Sequence, residues 1–114
     1  MDATATILEK MMDACTLRHS VLAGNLANAQ TPEYKRQDVS FKNDLAEAMR
    51  SGNLNDLRQV EYQVEEDETS TSGSNGNNVS TQKELGLMLE NTTLYNTAAD
   101  ALARKMSTLR KAIQ

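Results

Sequence analysis

One stretch decides the fold: TQKELGLMLENTTLYNTAADALARKMSTLRKAI, from Thr81 to Ile113. Mostly apolar residues recur within it in alternating steps of three and four, and only Thr92 interrupts the series. This heptad spacing is typical of a helix that packs lengthwise against other helices. At ~1.5 Å per residue, such a helix would be roughly 50 Å long. We name its apolar members the C-terminal seam: Leu85, Met88, Tyr95, Ala99, Leu102, Met106, Leu109 and Ile113.

The beginning of the chain, over about residues 6–29, has the same periodicity. Pro32 is expected to end this first helix, because it disfavours helical backbone in the residue before it. Thr81 and Glu84 have capping-box spacing and are expected to begin the last helix, over about 81–113. The members of the N-terminal seam are Leu8, Met12, Cys15, His19, Leu22, Leu26 and Ala29. The sequence therefore predicts a mainly α fold whose terminal helices pair as a coiled coil.

The segment between the helices, about residues 30–80, is predicted to be a short irregular middle within a single domain spanning 1–114. Phe41, Leu45, Ala48 and Met49 have helical spacing, which predicts a short helix over 41–51 that ends at Gly52. The acidic and Gly/Ser/Thr/Asn-rich tract over 65–78 is predicted to be a flexible loop, since it has little apolar surface to offset the entropy of ordering.

A short strand is predicted where Val60, Tyr62 and Val64 alternate with polar residues. Because a lone strand is not stable, three outcomes are open. The strand could pair within the same chain, pair with a neighbouring chain, or be absent in the free monomer.

Composition excludes several classes of function. A net charge of −4 and a pI of about 4.9 argue against nucleic acid as a partner, because binding it requires a basic face. The single cysteine, Cys15, can form no intrachain disulfide and is expected to be a small buried hydrophobe. There is no secretory signal pattern and no run of ~18 apolar residues, which taken alone predicts a cytoplasmic location.

Residues with catalytic or ligand-binding chemistry are few. His19 is the only histidine and occupies a seam position, where an ordinary packing role is favoured over metal ligation. The acidic run over 65–68 lacks the spacing of a calcium loop, and SGSNGNN lacks the lysine of a phosphate-binding loop. We therefore expect no enzyme activity, no cofactor, no metal and no small-molecule substrate.

Two motifs are more specific than these patterns: NLANAQTPEYKRQDVSF, from Asn25 to Phe41, and NGNNVSTQKEL, from Asn75 to Leu85. Together they resemble the axial proteins of the bacterial flagellum, whose N-terminal signature runs N-x-x-N-x-x-T-x-x-Y. The resemblance is to the flagellar basal-body rod protein family, and within it to a subunit of the proximal rod. Two departures are that Glu33 stands where the family often has Gly, and Asn75 where it usually has Asp. The matching residues are Asn25, Asn28, Thr31 and Tyr34, and we name them, together with Pro32, the assembly motif.

The resemblance implies a non-catalytic subunit that self-assembles through its terminal helices into a rod transmitting torque from motor to hook. It implies export through the flagellar type III apparatus without a cleaved signal, and hence a location in the basal body, spanning the periplasm. The expected partners are further copies of itself, other rod proteins, and the membrane-ring and export-gate components. An alternative function is an intracellular helical-hairpin adaptor or regulator that forms a coiled-coil dimer.

A physical interpretation of the motif stands beside the resemblance. Asn25 and Asn28 lie three residues apart on one helix face, where their amides can cap carbonyls or bond to a neighbouring chain. Thr31 and Pro32 turn the chain, and Tyr34 has a ring with a polar tip that can anchor the turn. The plainer alternative is that these residues only terminate a helix.

Overall fold

The fold is built on two long helices, and a computed structural model describes it for residues 2–40 and 42–113. The molecule is elongated, with principal dimensions of 62 × 25 × 14 Å. Among the described residues, no helix is long and apolar enough to cross a membrane. The elements in chain order are α1 (Ala3–Ala27), β1 (Gln37–Ser40), α2 (Lys42–Ser51), α3 (Leu54–Arg58), β2 (Gln63–Glu66) and α4 (Thr81–Ala112).

Helices α1 and α4 pack against each other along their length and run antiparallel. At one end of the pair, Lys105 Nζ lies 2.7 Å from Asp2 Oδ2, and Asp2 also caps α1 by accepting a hydrogen bond from the backbone of Ala5. At the other end, Asn25 of α1 contacts Glu84 of α4. The predicted mainly α fold with paired terminal helices is confirmed.

The caps of these helices differ from those predicted. Helix α1 ends at Ala27, before Pro32, because Asn28 caps it and donates a side-chain hydrogen bond to Gly24 O at 2.8 Å. The predicted capping box at Thr81 is wrong: Ser80 is the N-cap residue of α4 and accepts from the backbone of Lys83. Glu84 is not available for capping, since its carboxylate is buried against other side chains.

The middle contains a two-stranded antiparallel sheet formed by β1 and β2, in which Val39 faces Val64. Of the three outcomes left open for the predicted strand, pairing within the chain is the observed one. The strand begins later than predicted, at Gln63, because Val60 is buried beside α3. The pairing strand β1 has only one apolar residue, which is why periodicity does not predict it.

Helices α2 and α3 form a small cluster on the N-terminal half of α1. Helix α2 ends at Ser51 and is followed by Gly52 at φ +66°, as predicted from the glycine, whereas Phe41 lies outside the described residues. Lys10 Nζ donates to Arg58 O at 2.9 Å, so the lysine caps the end of α3. The buried residues are Ala48, Leu57 and Val60, against which Ile7, Leu54 and Tyr62 pack.

Candidate functional site

The assembly motif lies in the turn that follows α1. Thr31 Oγ1 donates to Asn28 Oδ1 at 3.1 Å, and Thr31 O accepts from the side chain of Asn77 at 2.8 Å. Asn77 Nδ2 also donates to Asn28 O, so one buried amide from the loop before α4 holds both ends of the turn. The side chain of Pro32 is exposed. The two sequence motifs are thus in direct contact in the fold.

Asn25 is the best-satisfied polar side chain of the motif. Its Oδ1 atom accepts from Gln37 N at 2.9 Å and from the Tyr34 hydroxyl at 3.2 Å. Its Nδ2 atom donates to Gln37 O at 2.7 Å and to Glu84 Oε2 at 3.2 Å. An asparagine amide can make four hydrogen bonds, and this fully buried residue makes all four within the chain. Asn25 therefore ties α1 to β1 and to α4.

Next to Asn25 lies a partly buried ionic cluster centred on the buried side chain of Arg36. Its Nε atom donates to Glu84 Oε1 at 2.6 Å, and its Nη1 atom donates to Asp67 Oδ2 at 2.7 Å. Asp38 accepts a longer bond from Arg36 Nη2 at 3.4 Å and a closer one from Arg18 Nε at 2.9 Å. We call these six residues the polar junction: Arg18, Asn25, Arg36, Asp38, Asp67 and Glu84.

The geometry of the polar junction sets the charge state of its members. Burial opposes the charge of Arg36, but hydrogen bonds to Glu84 and Asp67 outweigh it and raise the pKa of the guanidinium. Hydrogen bonds from Thr69 and then from Arg36 hold the pKa of Asp67 below its ordinary value. Burial works against the charge of Asp38 as well, yet the bond from Arg18 lowers the pKa of this carboxyl. All three groups are therefore ionised at neutral pH.

The tract over 65–78, predicted to be a flexible loop, begins within β2 and is fixed to the junction by side-chain amides. Asn78 Oδ1 accepts from Arg36 N at 2.6 Å, while Asn78 Nδ2 donates to Asp67 O at 2.8 Å. Asp67 also accepts from the backbone and hydroxyl of Thr69. Its mobility in solution stays a prediction, but its hydrogen bonds explain how so polar a segment holds a defined shape.

Glu33 has a left-handed backbone, with φ at +64°, a conformation that favours glycine. Its amide donates to Asn75 O at 2.9 Å, which joins the turn after α1 to the loop before α4. A Cβ placed on Gly76, itself at φ +79°, would lie 2.6 Å from the Glu33 carboxylate. Position 33, where this chain has glutamate instead of the expected glycine, therefore has a backbone conformation that is strained for any residue except glycine.

The N-terminal seam contributes to the α1–α4 interface. Cys15 and Leu22 are buried, Leu8, Met12 and Leu26 are half-buried, and only His19 among its long side chains is exposed. Burial raises the pKa of the Cys15 thiol, so it remains protonated and acts as a small hydrophobe.

The C-terminal seam lies partly outside this interface. The residues of α4 that are buried against the rest of the chain are Glu84, Asn91 and Ala98. Glu84 and Ala98 each lie one position before a seam residue, and Asn91 lies one position before Thr92, which interrupts the seam. Met88, Ala99 and Leu102 are half-buried. Exposed seam residues remain along α4: Leu85, Tyr95, Met106, Leu109 and Ile113. Their role in assembly stays a prediction.

Sequence reasoning missed the charged half of the site, namely Arg36, Asp67 and Glu84. Arg36 lies within the first motif and Glu84 within the second, so the co-occurrence of opposite charges in two flanking motifs was the available signal. Among the described residues, no group of three or more His, Cys, Asp or Glu side chains is arranged to hold a metal ion.

The protein has the form of a structural subunit. It is an elongated helical hairpin that is held together at the polar junction and exposes part of the C-terminal seam along α4. No family model matches the chain. It is 30% identical over 112 residues to the flagellar basal body rod protein FlgB of Aquifex aeolicus, covering 95% of this chain and 90% of the relative. It is 33% identical over 107 residues to FlgB of Cereibacter sphaeroides strain ATCC 17029, covering 85% and 83%. The chain belongs to the FlgB family of flagellar basal body rod proteins.

Proposed function

We propose that this chain is a structural subunit of the proximal rod of the bacterial flagellar basal body, which transmits torque from motor to hook. The observation that carries the proposal is the similarity to FlgB proteins across nearly the whole chain, including 95% of it for the Aquifex aeolicus relative. The similarity spans both terminal helices and the motifs that meet at the polar junction.

The exposed part of the C-terminal seam supports self-assembly through the terminal helices. Leu109 is 48% exposed and Ile113 is 85% exposed, and both continue the C-terminal seam, which α1 covers only in part. A stripe of large apolar side chains on one helix is typical of a surface that a neighbouring chain covers. The partners we propose are further copies of this chain, other rod proteins, and the membrane-ring and export-gate components of the basal body.

The polar junction supports a mechanical rather than a catalytic role. Its charged groups are paired with one another, and Asn25 has no hydrogen-bonding capacity left over. A buried cluster of this kind rigidifies the connection between α1, the sheet and α4. Such rigidity suits a subunit that carries torsional load.

From the resemblance to flagellar rod proteins we further infer that the chain is exported without a cleaved signal peptide and is located in the basal body.

Deletion of the gene, followed by complementation, tests this function. We expect non-motile cells whose isolated basal bodies lack rods under the electron microscope, and restoration of both by the wild-type chain. A deletion strain that swims normally with complete rods would overturn the proposal. A discrete soluble dimer that is never found in basal bodies would instead support an intracellular adaptor.

A further inference from the structure

The C-terminal end of α4 extends past the helix it packs on. The described part of α1 begins at Ala3, and Asp2 pairs with Lys105, so the contact between the helices stops near that lysine. The next eight residues, 106–113, continue for about 12 Å at ~1.5 Å per residue. We call this segment the C-terminal overhang.

The overhang combines apolar and basic side chains. Met106, Leu109 and Ile113 are exposed, and they continue the C-terminal seam beyond the end of α1. Arg110 and Lys111 are also exposed, and the segment contains no acidic residue. Its surface is therefore suited to a partner that offers carboxylates beside apolar contacts.

A cleft whose charge is complementary to that of the overhang lies at the α2–α3 cluster. Its volume is about 570 Å³, and Glu47, Asp56 and Glu61 lie along it. Ala48 and Val60, which are buried apolar residues of the cluster, also line it. Among the residues the structure describes, none of those lining the cleft is basic. We call it the acidic cleft.

We propose that the C-terminal overhang of one copy docks into the acidic cleft of a second copy. The proposal rests on the proposed function, because it names the contact by which one rod subunit binds the next. Arg110 and Lys111 face Glu47, Asp56 and Glu61, while Leu109 and Ile113 contact Ala48 and Val60. The two surfaces differ, so the contact is head-to-tail, and such contacts continue as open helical assemblies unless their rotation closes a ring.

Charge-reversal variants of the full-length chain test the proposal. One variant carries Arg110→Glu and Lys111→Glu, and the other carries Glu47→Lys and Asp56→Lys. Each alone is expected to weaken self-association at least about tenfold in sedimentation velocity, since like charges then face each other across the contact. A mixture of the two is expected to associate again. Arg104→Glu, which lies on α4 outside the overhang and off the seam, is the matched control and should associate as the wild type does.

Zero-length cross-linking of a mixture of ¹⁴N- and ¹⁵N-labelled wild-type chains gives an independent measurement. We expect mixed-isotope cross-links from Lys111 to Glu47, Asp56 or Glu61. Their absence, cross-links only within one chain, or occupation of the cleft by a different rod protein in basal bodies would overturn the proposal. Failure of complementation in the deletion strain would overturn the rod assignment instead, so the two failures are distinguishable.

Discussion

Arg36 and Glu84 form an ion pair with 2.6 Å between Nε and Oε1, and their side chains are only 3% and 0% exposed. The arginine follows the turn after α1, and the glutamate lies in the first turns of α4, so the pair joins the two sequence motifs directly. Asn25 and Asp67 complete the hydrogen bonding of the two charges. A buried pair of this kind is favourable only when such additional bonds are present.

Removing one charge of this pair is expected to destabilise the fold strongly. Arg36→Ala leaves the carboxylate of Glu84 buried and unpaired, which should lower the free energy of unfolding by about 3–5 kcal/mol. Urea denaturation of the monomer measures the change. Arg104→Ala, which removes an exposed arginine of α4, is the control and should change stability by less than about 0.5 kcal/mol. Equal effects of the two substitutions would mean that the junction does not hold the fold together.

The acid limb of the stability curve is expected to depend on Asp67. Its folded pKa lies below the unfolded value, so the unfolded chain takes up the proton first as the pH falls. The stabilisation is therefore complete above a pH of about 4 and is lost as the pH falls from there toward the folded pKa. We expect Asp67→Asn to reduce the loss in the free energy of unfolding between neutral and acidic pH, measured by urea denaturation at a series of pH values. Glu68→Gln, an exposed change in the same loop, should keep the wild-type slope, and an unchanged slope in Asp67→Asn would contradict the assignment.

The left-handed backbone at Glu33 makes this position a site for stabilisation. A residue other than glycine at positive φ, such as Glu33, costs roughly 1–2 kcal/mol of stability. Glycine avoids this cost, but part of the gain is offset because glycine loses more conformational freedom on folding. We expect Glu33→Gly to raise the free energy of unfolding by about 1 kcal/mol. Glu33→Ala removes the same carboxylate but keeps the strain, and it separates the backbone effect from the charge. If Ala and Gly were equally stabilising, the backbone explanation would fail.

The exposed seam is expected to matter for assembly but not for folding of the monomer. Leu109→Asp alters a side chain that is 48% exposed, so monomer stability should change by no more than about 0.5 kcal/mol, whereas assembly and swimming are lost. Leu102→Asp places a charge at a half-buried position, so stability and assembly should both fall. Asn96→Asp, exposed, off the seam and outside the overhang, is the control for motility in soft agar. Normal swimming with Leu109→Asp would count against the seam.

The long helices could be predicted from the sequence because heptad spacing is a local signal of helix packing. The interface they share could be predicted only in part. The positions of α4 that are buried against the rest of the chain include Glu84 and Asn91, and an apolar pattern cannot select polar residues. Asn91 is buried because its amide donates to Cys15 O at 2.8 Å, a bond that depends on the tertiary fold.

The candidate site could likewise be predicted only in part from the sequence. The motif residues from Asn25 to Tyr34 could be singled out by resemblance, and their turn by the presence of Thr31 and Pro32. Their contacts with Asn77 and Asn78 could not, because those residues are more than forty positions away along the chain. Strand β1 was missed for a related reason: its stability comes from pairing with β2 and from Asn25, not from its own composition.

The central claim is that this chain is a rod subunit whose exposed seam is covered on assembly. Electron cryomicroscopy of isolated basal bodies, with the wild-type chain in place, tests it most directly. We expect density for the α1–α4 hairpin within the rod, with the side chains of Leu109 and Ile113 buried against a neighbouring subunit. Rods that lack this chain, or that contain it with both side chains exposed to solvent, would contradict the account.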